Sequence, residues 1–211
     1  MGRMAAALRY LPLVGVVLLA AIAFVWRPWL QYRRHGSWGI LLFQSGGPAQ
    51  KARDGMLLVL FALLLGQAIV AAGWPQALPL AEADLRSAPV IRHALGAVLL
   101  LGGLLLLVAA QLDLGASWRI GIEEGARPGL VTTGLYAFSR NPIFLALLVT
   151  LAGYALLLPT LLSAAMLAGA YVAIRQQIGE EERYLLRAYG EQYREYARHV
   201  GRLLPGVGKL G

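Results

Sequence analysis

IFLALLVTLAGYALLLPTLLSAAMLAGAYVAIRQQI, residues 143–178, is the stretch on which the fold turns. It is apolar apart from Arg175 and a few uncharged polar side chains. At 1.5 Å per helical residue it is too long for one crossing of a hydrocarbon core roughly 30 Å thick, and about right for two. Leu158-Pro159-Thr160 supplies the break, because proline cannot continue a helix interior. The segment reads as a tight helical hairpin whose two ends return to the same membrane surface.

Upstream lie three more apolar blocks, Leu11 to Leu30, Met56 to Trp74 and Val90 to Leu112, each long enough to cross once. Of the 211 residues 58% are hydrophobic and 14% charged, against about 25% charged in an ordinary soluble domain. The expected fold is therefore an all-α integral membrane protein, one domain with about five transmembrane helices, the last two forming the proline-broken hairpin. The tail from Gly179 to His199 changes character: Glu and Arg alternate with Tyr184, Leu185, Ala188, Tyr189, Tyr193 and Tyr196 at spacings of three and four. That pattern predicts an amphipathic C-terminal helix packed on the membrane surface, with Gly190 as a bend and Pro205 ending helical structure.

Charge orients this arrangement. With five crossings, fifteen of the nineteen Lys and Arg fall on the face holding the first loop, the third loop and the tail, and four on the other. The positive-inside rule makes the richer face cytoplasmic and puts the N-terminus outside. Arg3 and Arg9 before an apolar run ending in Ala21-Ile22-Ala23 also mimic a signal peptide, but cleavage there would strand the basic first loop outside. That loop, Arg27 to Arg53, mixes Trp29, Tyr32 and Trp38 with basic residues and the short apolar run Ile40 to Phe43, which suits interfacial anchoring or a lid over a membrane site.

Several classes are excluded or disfavoured. There is no cysteine, so no disulfide, thiolate ligand or cysteine nucleophile. His35, His93 and His199 are scattered, and no metal is expected. The net charge of +8 sits at the ends of apolar runs, and no nucleic-acid partner is expected. No P-loop pattern occurs.

The chemistry is expected where the hairpin returns. Topology puts the polar stretch Asp113 to Pro142 and the tail on one side, so Arg140-Asn141-Pro142 should meet Glu180-Glu181-Glu182. Such a cluster either holds a zwitterion, guanidinium on carboxylate and Glu on ammonium, or simply ties the hairpin ends together. Gln67 and Gln111 read as interhelical hydrogen-bond partners, and Gly102, Gly103 and Gly153 as points of close helix packing.

Leu130-Val131-Thr132-Thr133-Gly134-Leu135-Tyr136, then Ser139-Arg140-Asn141-Pro142, then Glu181-Glu182, Leu185, Gly190, Tyr193, Tyr196 and Pro205 follow one another in order around the hairpin. This series resembles the isoprenylcysteine carboxyl methyltransferase and phospholipid methyltransferase superfamily of integral membrane methyltransferases. The resemblance runs from about Leu130 to Pro205, and Ser117-Trp118-Arg119-Ile120-Gly121 resembles a segment of bacterial relatives, which points to a bacterial inner membrane. It implies a methyl donor, S-adenosylmethionine, with S-adenosylhomocysteine as product, in a cytoplasmic pocket. It also implies a membrane-dissolved lipidic or small amphipathic methyl acceptor, with membrane lipids as surroundings. Residues 1–112 would then be transmembrane helices and interfacial loop, and 113–211 the cofactor-binding catalytic half.

Carried over by motif, Arg140 and Glu181 would be catalytic. Leu130, Val131, Gly134, Tyr136, Arg140, Asn141, Pro142, Glu181 and Glu182 would bind the cofactor, and Trp118 and Arg119 would wall the acceptor. Asn141 stands where many members have His, and an amide is no base near neutral pH. A sterol-reductase-like enzyme using NADPH and a non-catalytic lipid-binding subunit are the competing readings. The nucleophile (carboxylate, amine or thiol) stays open.

Overall fold

The computed structural model describes residues 9–40, 42–43, 47–78, 89–118 and 129–210. All its described regular elements are helical, and a β-bridge joins Ser139 to Gly201. Helix α1 spans Leu11–His35. It is α-helical over Leu11–Ala20 and Arg27–His35, with a π segment at Ala21–Trp26 between them. The wider turn sits just ahead of Pro28, whose ring and missing N–H would break a regular ladder at that point. The helix stops at Gly36, whose φ of 73° is left-handed, with Arg33, Arg34 and His35 in the last turn, where the helix dipole favours cations.

Helix α2, Pro48–Gly73, starts with proline in its first turn and ends before Trp74-Pro75. Helix α3 is Pro89–Leu114, α4 is Pro142–Leu157, α5 is Leu161–Tyr189 and α6 is Glu191–His199. The hairpin of the sequence reading is α4 and α5. Thr160 caps α5 by accepting from the Ser163 amide at 3.0 Å.

Two features differ from the sequence reading. The first loop is shorter than Arg27 to Arg53, because α1 runs on to His35 and α2 begins at Pro48; these flanks are polar, so hydropathy misses them although their backbone is helical. The amphipathic tail is not a separate helix from Gly179. α5 runs straight through that glycine, because a change of face alters what a helix packs against and not its backbone, and one interior glycine costs only about 1 kcal/mol. The break falls at Gly190, with φ 53° and ψ −122°.

Leu11–His35, Gln50–Gly73 and Val90–Ser117 are long and apolar enough to cross a membrane. α4, at 16 residues, covers only about 24 Å. Val25, Val59, Val98, Leu105 and Leu161 point outward and are more than half exposed, as a lipid-facing surface requires.

Packing inside the bundle is close. α3 and α4 meet at small residues: a Cβ on Gly103 would run into Thr150, and one on Gly153 into the Leu100 backbone. Gly96 joins this seam, facing Leu157, whereas Gly102 faces open space and takes no part. Val16, Leu64, Ala68, Leu100, Tyr154 and Met166 fill the core between the helices. At the hairpin turn the Gln67 amide donates to Thr160 Oγ1 at 2.5 Å, and the Tyr154 hydroxyl donates to the Leu64 carbonyl at 2.9 Å and to Gln67 Oε1 at 3.1 Å. Gln67 is the interhelical partner its position suggests.

Candidate active site

Successive helical residues point about 100° apart, so three adjacent glutamates on α5 cannot share one partner. Glu180 takes Arg53 of α2 in a two-pronged ion pair, with Arg53 Nη1 at 2.8 Å from Oε1. Glu181 accepts from the Gln177 amide at 3.1 Å. Glu182 turns inward and accepts from Arg140 Nη2 at 2.7 Å, and from Arg202 Nε and Nη2 at 3.0 and 2.7 Å. The hydrogen bond to Glu182 holds the Arg202 guanidinium pKa above its ordinary value, against a smaller opposing effect of burial.

Arg140 is fixed on more sides than this. Its Nη1 donates to the Ala197 carbonyl at 2.8 Å and its Nη2 to Gly208 at 2.9 Å, while its backbone N–H donates to Gly201 at 2.9 Å. The Asn141 amide donates to the Arg202 carbonyl at 2.9 Å. The Asn141 side chain thus clamps the tail backbone, a task that needs a donor and no base. Pro142 is fully buried as the first residue of α4.

Beside this knot opens a cavity of about 670 Å³, within the usual range for small-molecule sites. Of the residues named from the motifs, Leu130, Val131, Tyr136, Arg140, Asn141, Glu181 and Trp118 line it. Gly134, Pro142 and Glu182 stand behind the wall, and Arg119 lies outside the described residues. Gly134 has φ 61° and rests on Asp113, whose carboxylate accepts from the Leu135 amide at 2.8 Å; a Cβ there would collide with that carboxylate. Its part is to let the turn Gly134–Ala137 seat against the end of α3.

Residues that pattern reading passed over stand in the wall or directly behind it. Arg27, read as a loop charge, is 2% exposed. It donates to the Gln111 and Gly115 carbonyls, its partner Gln31 donates to Ala116, and its guanidinium lies 4.7 Å from the centre of the Trp118 ring. It thereby closes the C-terminal end of α3 and holds Trp118 in place. Asp54, buried, accepts from the Phe43 amide and from Gln50. The i, i+4 spacing of Gln50 and Asp54 was the available signal for that contact, and nothing in the sequence marked Arg27.

Polar groups and depth decide what the cavity can hold. Arg53 Nε, Arg140 Nε and Gln111 Oε1 are buried without a hydrogen-bond partner among the described residues, and all three belong to cavity-lining residues. Gln111 Oε1 thus makes no interhelical hydrogen bond among the described residues. Burial first and the Glu181 charge second push the Tyr136 phenol far above its ordinary pKa. Burial likewise raises Tyr193, and Tyr196 is raised to about 12 by burial with Arg140 opposing. All three are neutral phenols near neutral pH. The wall continues from these groups to Leu162 and Met166, 19 residues before Glu181 in the case of Leu162, which is about 28 Å along α5. Two donors, an acceptor and a carboxylate at one end fit a zwitterionic ligand, and the rest fits an apolar chain.

Residues 91–192 match the phospholipid methyltransferase family model. This segment is phospholipid-methyltransferase-like in sequence. The matched span takes in α3, the turn, the hairpin and the start of α6, and the Tyr193, Tyr196 and Pro205 motif positions lie just beyond it. In fold, the chain is similar to the eukaryotic intramembrane Ras methyltransferase ICMT (isoprenylcysteine carboxyl methyltransferase), with 18% identity, a TM-score of 0.50, and coverage of 94% of this chain and 75% of that one. No curated protein matches the chain in sequence. The resemblance drawn from the motifs holds. Family segment and fold together support a membrane methyltransferase. Among the described residues no group of three or more His, Asp or Glu is arranged to hold a metal ion.

Proposed function

We propose that the chain is an S-adenosylmethionine-dependent methyltransferase acting on a lipidic or small amphipathic acceptor dissolved in the membrane. The observation that carries this reading is the single cavity joining a polar end, at Glu181, Arg140 and the tyrosines, to an apolar gallery at Leu162 and Met166. In this reading residues 113–211 are the cofactor-binding half, five helices cross the membrane, and the N-terminus is outside. The donor end and the C-terminus face the cytoplasm of a bacterial cell.

When bound, the donor supplies an electrophilic methyl carbon on a sulfonium. Glu181 is the carboxylate facing its cationic groups, with Leu130, Val131 and Tyr136 as the adjoining wall. Arg140 Nε is the donor left for its carboxylate, while the rest of that guanidinium and Asn141 keep the tail in place, so both act chiefly as positioning residues. Glu182 neutralises Arg140 and Arg202 from behind. Trp118 walls the acceptor side. Methyl transfer is an in-line displacement, and the protein's contribution is alignment and exclusion of water. No residue has to act as a base for a carboxylate or thiolate acceptor, which agrees with an amide at position 141.

The test is transfer of label. Membranes holding the protein, incubated with methyl-labelled S-adenosylmethionine, should place label in the lipid extract or on an added amphipathic thiol. A preparation that labels neither, yet binds NADPH, overturns the reading in favour of a reductase.

A further inference from the structure

Three tyrosines line the donor end of the cavity together with Glu181: Tyr136 from the turn Gly134–Ala137, and Tyr193 and Tyr196 from α6. They form one cluster. The Tyr193 and Tyr196 ring centres are 6.1 Å apart at 63°, an edge-to-face contact, and the Tyr196 hydroxyl donates to the Tyr136 carbonyl at 2.6 Å. Tyr136 is 7% exposed and Tyr193 1%, so the rings are held rigidly and shielded from water. Raised pKa values keep them as neutral phenols, with electron-rich faces intact. Aliphatic side chains would serve as well if this end held only a flat neutral ring or a hydrocarbon. Desolvated aromatic faces next to a carboxylate are the surroundings that favour a soft, weakly hydrated cation.

We propose that Tyr136, Tyr193 and Tyr196, with Glu181, form a cage for an onium centre and make the site tell the charged methyl donor from its neutral product. The proposal rests on the donor reading above. In the transfer an acceptor lone pair forms the new bond to the methyl carbon, and the carbon–sulfur pair stays on sulfur. The sulfur becomes a neutral thioether and the acceptor gains one unit of positive charge. The cage then loses the charge it holds, and product leaves more easily than donor.

Binding of three probes to the full chain in detergent tests this without any turnover: S-adenosylmethionine, sinefungin, which carries an ammonium group in place of the methyl sulfonium, and S-adenosylhomocysteine. The two cations should bind several-fold more tightly than S-adenosylhomocysteine. Tyr136→Leu should shrink that preference by about two- to threefold, and Tyr136→Phe, which keeps the ring, should retain it. Thermal melting of each variant monitors the fold. If the wild-type chain binds S-adenosylhomocysteine as tightly as the cations, or if Tyr136→Leu leaves the preference intact, the cage is overturned and the donor reading survives. A wild-type chain that binds none of the three overturns both.

Discussion

Arg140 Nη2 lies 2.7 Å from Glu182 Oε1, with the two side chains 1% and 9% exposed. The pair joins the start of α4 to the middle of α5's polar half, and through Ala197, Gly201 and Gly208 it also holds the tail. It is the device that makes the two ends of the hairpin one surface.

Breaking a buried pair leaves an uncompensated charge and costs about 3–5 kcal/mol. Arg140→Ala should therefore lower the thermal stability of the purified protein strongly, and Arg140→Lys should recover little of it, because an ammonium cannot reproduce three bonds from a planar fork. A melting curve for Arg140→Ala that overlays the wild type would show the pair to be dispensable.

Adjacent glutamates should separate cleanly by substitution. Glu181→Gln should leave melting close to wild type and weaken donor or product binding by about tenfold, roughly 1.4 kcal/mol. Glu182→Gln should act the other way round, on stability first. Equal effects of both on melting, with none on binding, would remove Glu181 from the site.

The hairpin turn offers a control far from the chemistry. Gln67→Leu deletes the amide that bridges Tyr154, Thr160 and Ser163. It should cost about 1 kcal/mol, the scale of interhelical hydrogen bonds in membranes, and leave ligand affinity unchanged.

Alkaline pH should weaken the fold. Tyr136, Tyr193 and Tyr196 have folded-state pKa values raised by burial above the ordinary value near 10. Below about pH 10 both folded and unfolded chains keep these protons, and the stabilisation is fully present. Above it the unfolded chain loses protons that the folded chain retains, so stability falls as pH rises toward the folded values. Melting temperature should be flat from pH 7 to 9 and decline between pH 10 and 11.5.

Much of this architecture could be read from the chain itself. Pro159 marked the turn, and the hairpin's length forced Arg140 toward the three glutamates. Which glutamate Arg140 takes could not be read, because neighbouring residues differ by a third of a helical turn and the choice depends on how α5 is rotated. The same holds for glycines: Gly103 packs and Gly102 does not, one residue apart. Arg27 was illegible for another reason. Its partners across the bundle are the carbonyls of Gln111 and Gly115 at the end of α3, and backbone groups leave no trace in side-chain patterns. The cavity is legible only in three dimensions, since its wall gathers Leu19, Asp54, Gln111, Tyr136 and Glu181 from five separate stretches.

Calorimetric titration of the solubilised chain with S-adenosylhomocysteine, and in parallel with NADPH, tests the donor site most directly. The account predicts binding of the first in the micromolar range, weakened in Glu181→Gln, and no heat with the second. Absence of any heat or thermal shift with S-adenosylhomocysteine, or saturable binding of NADPH in its place, would contradict it.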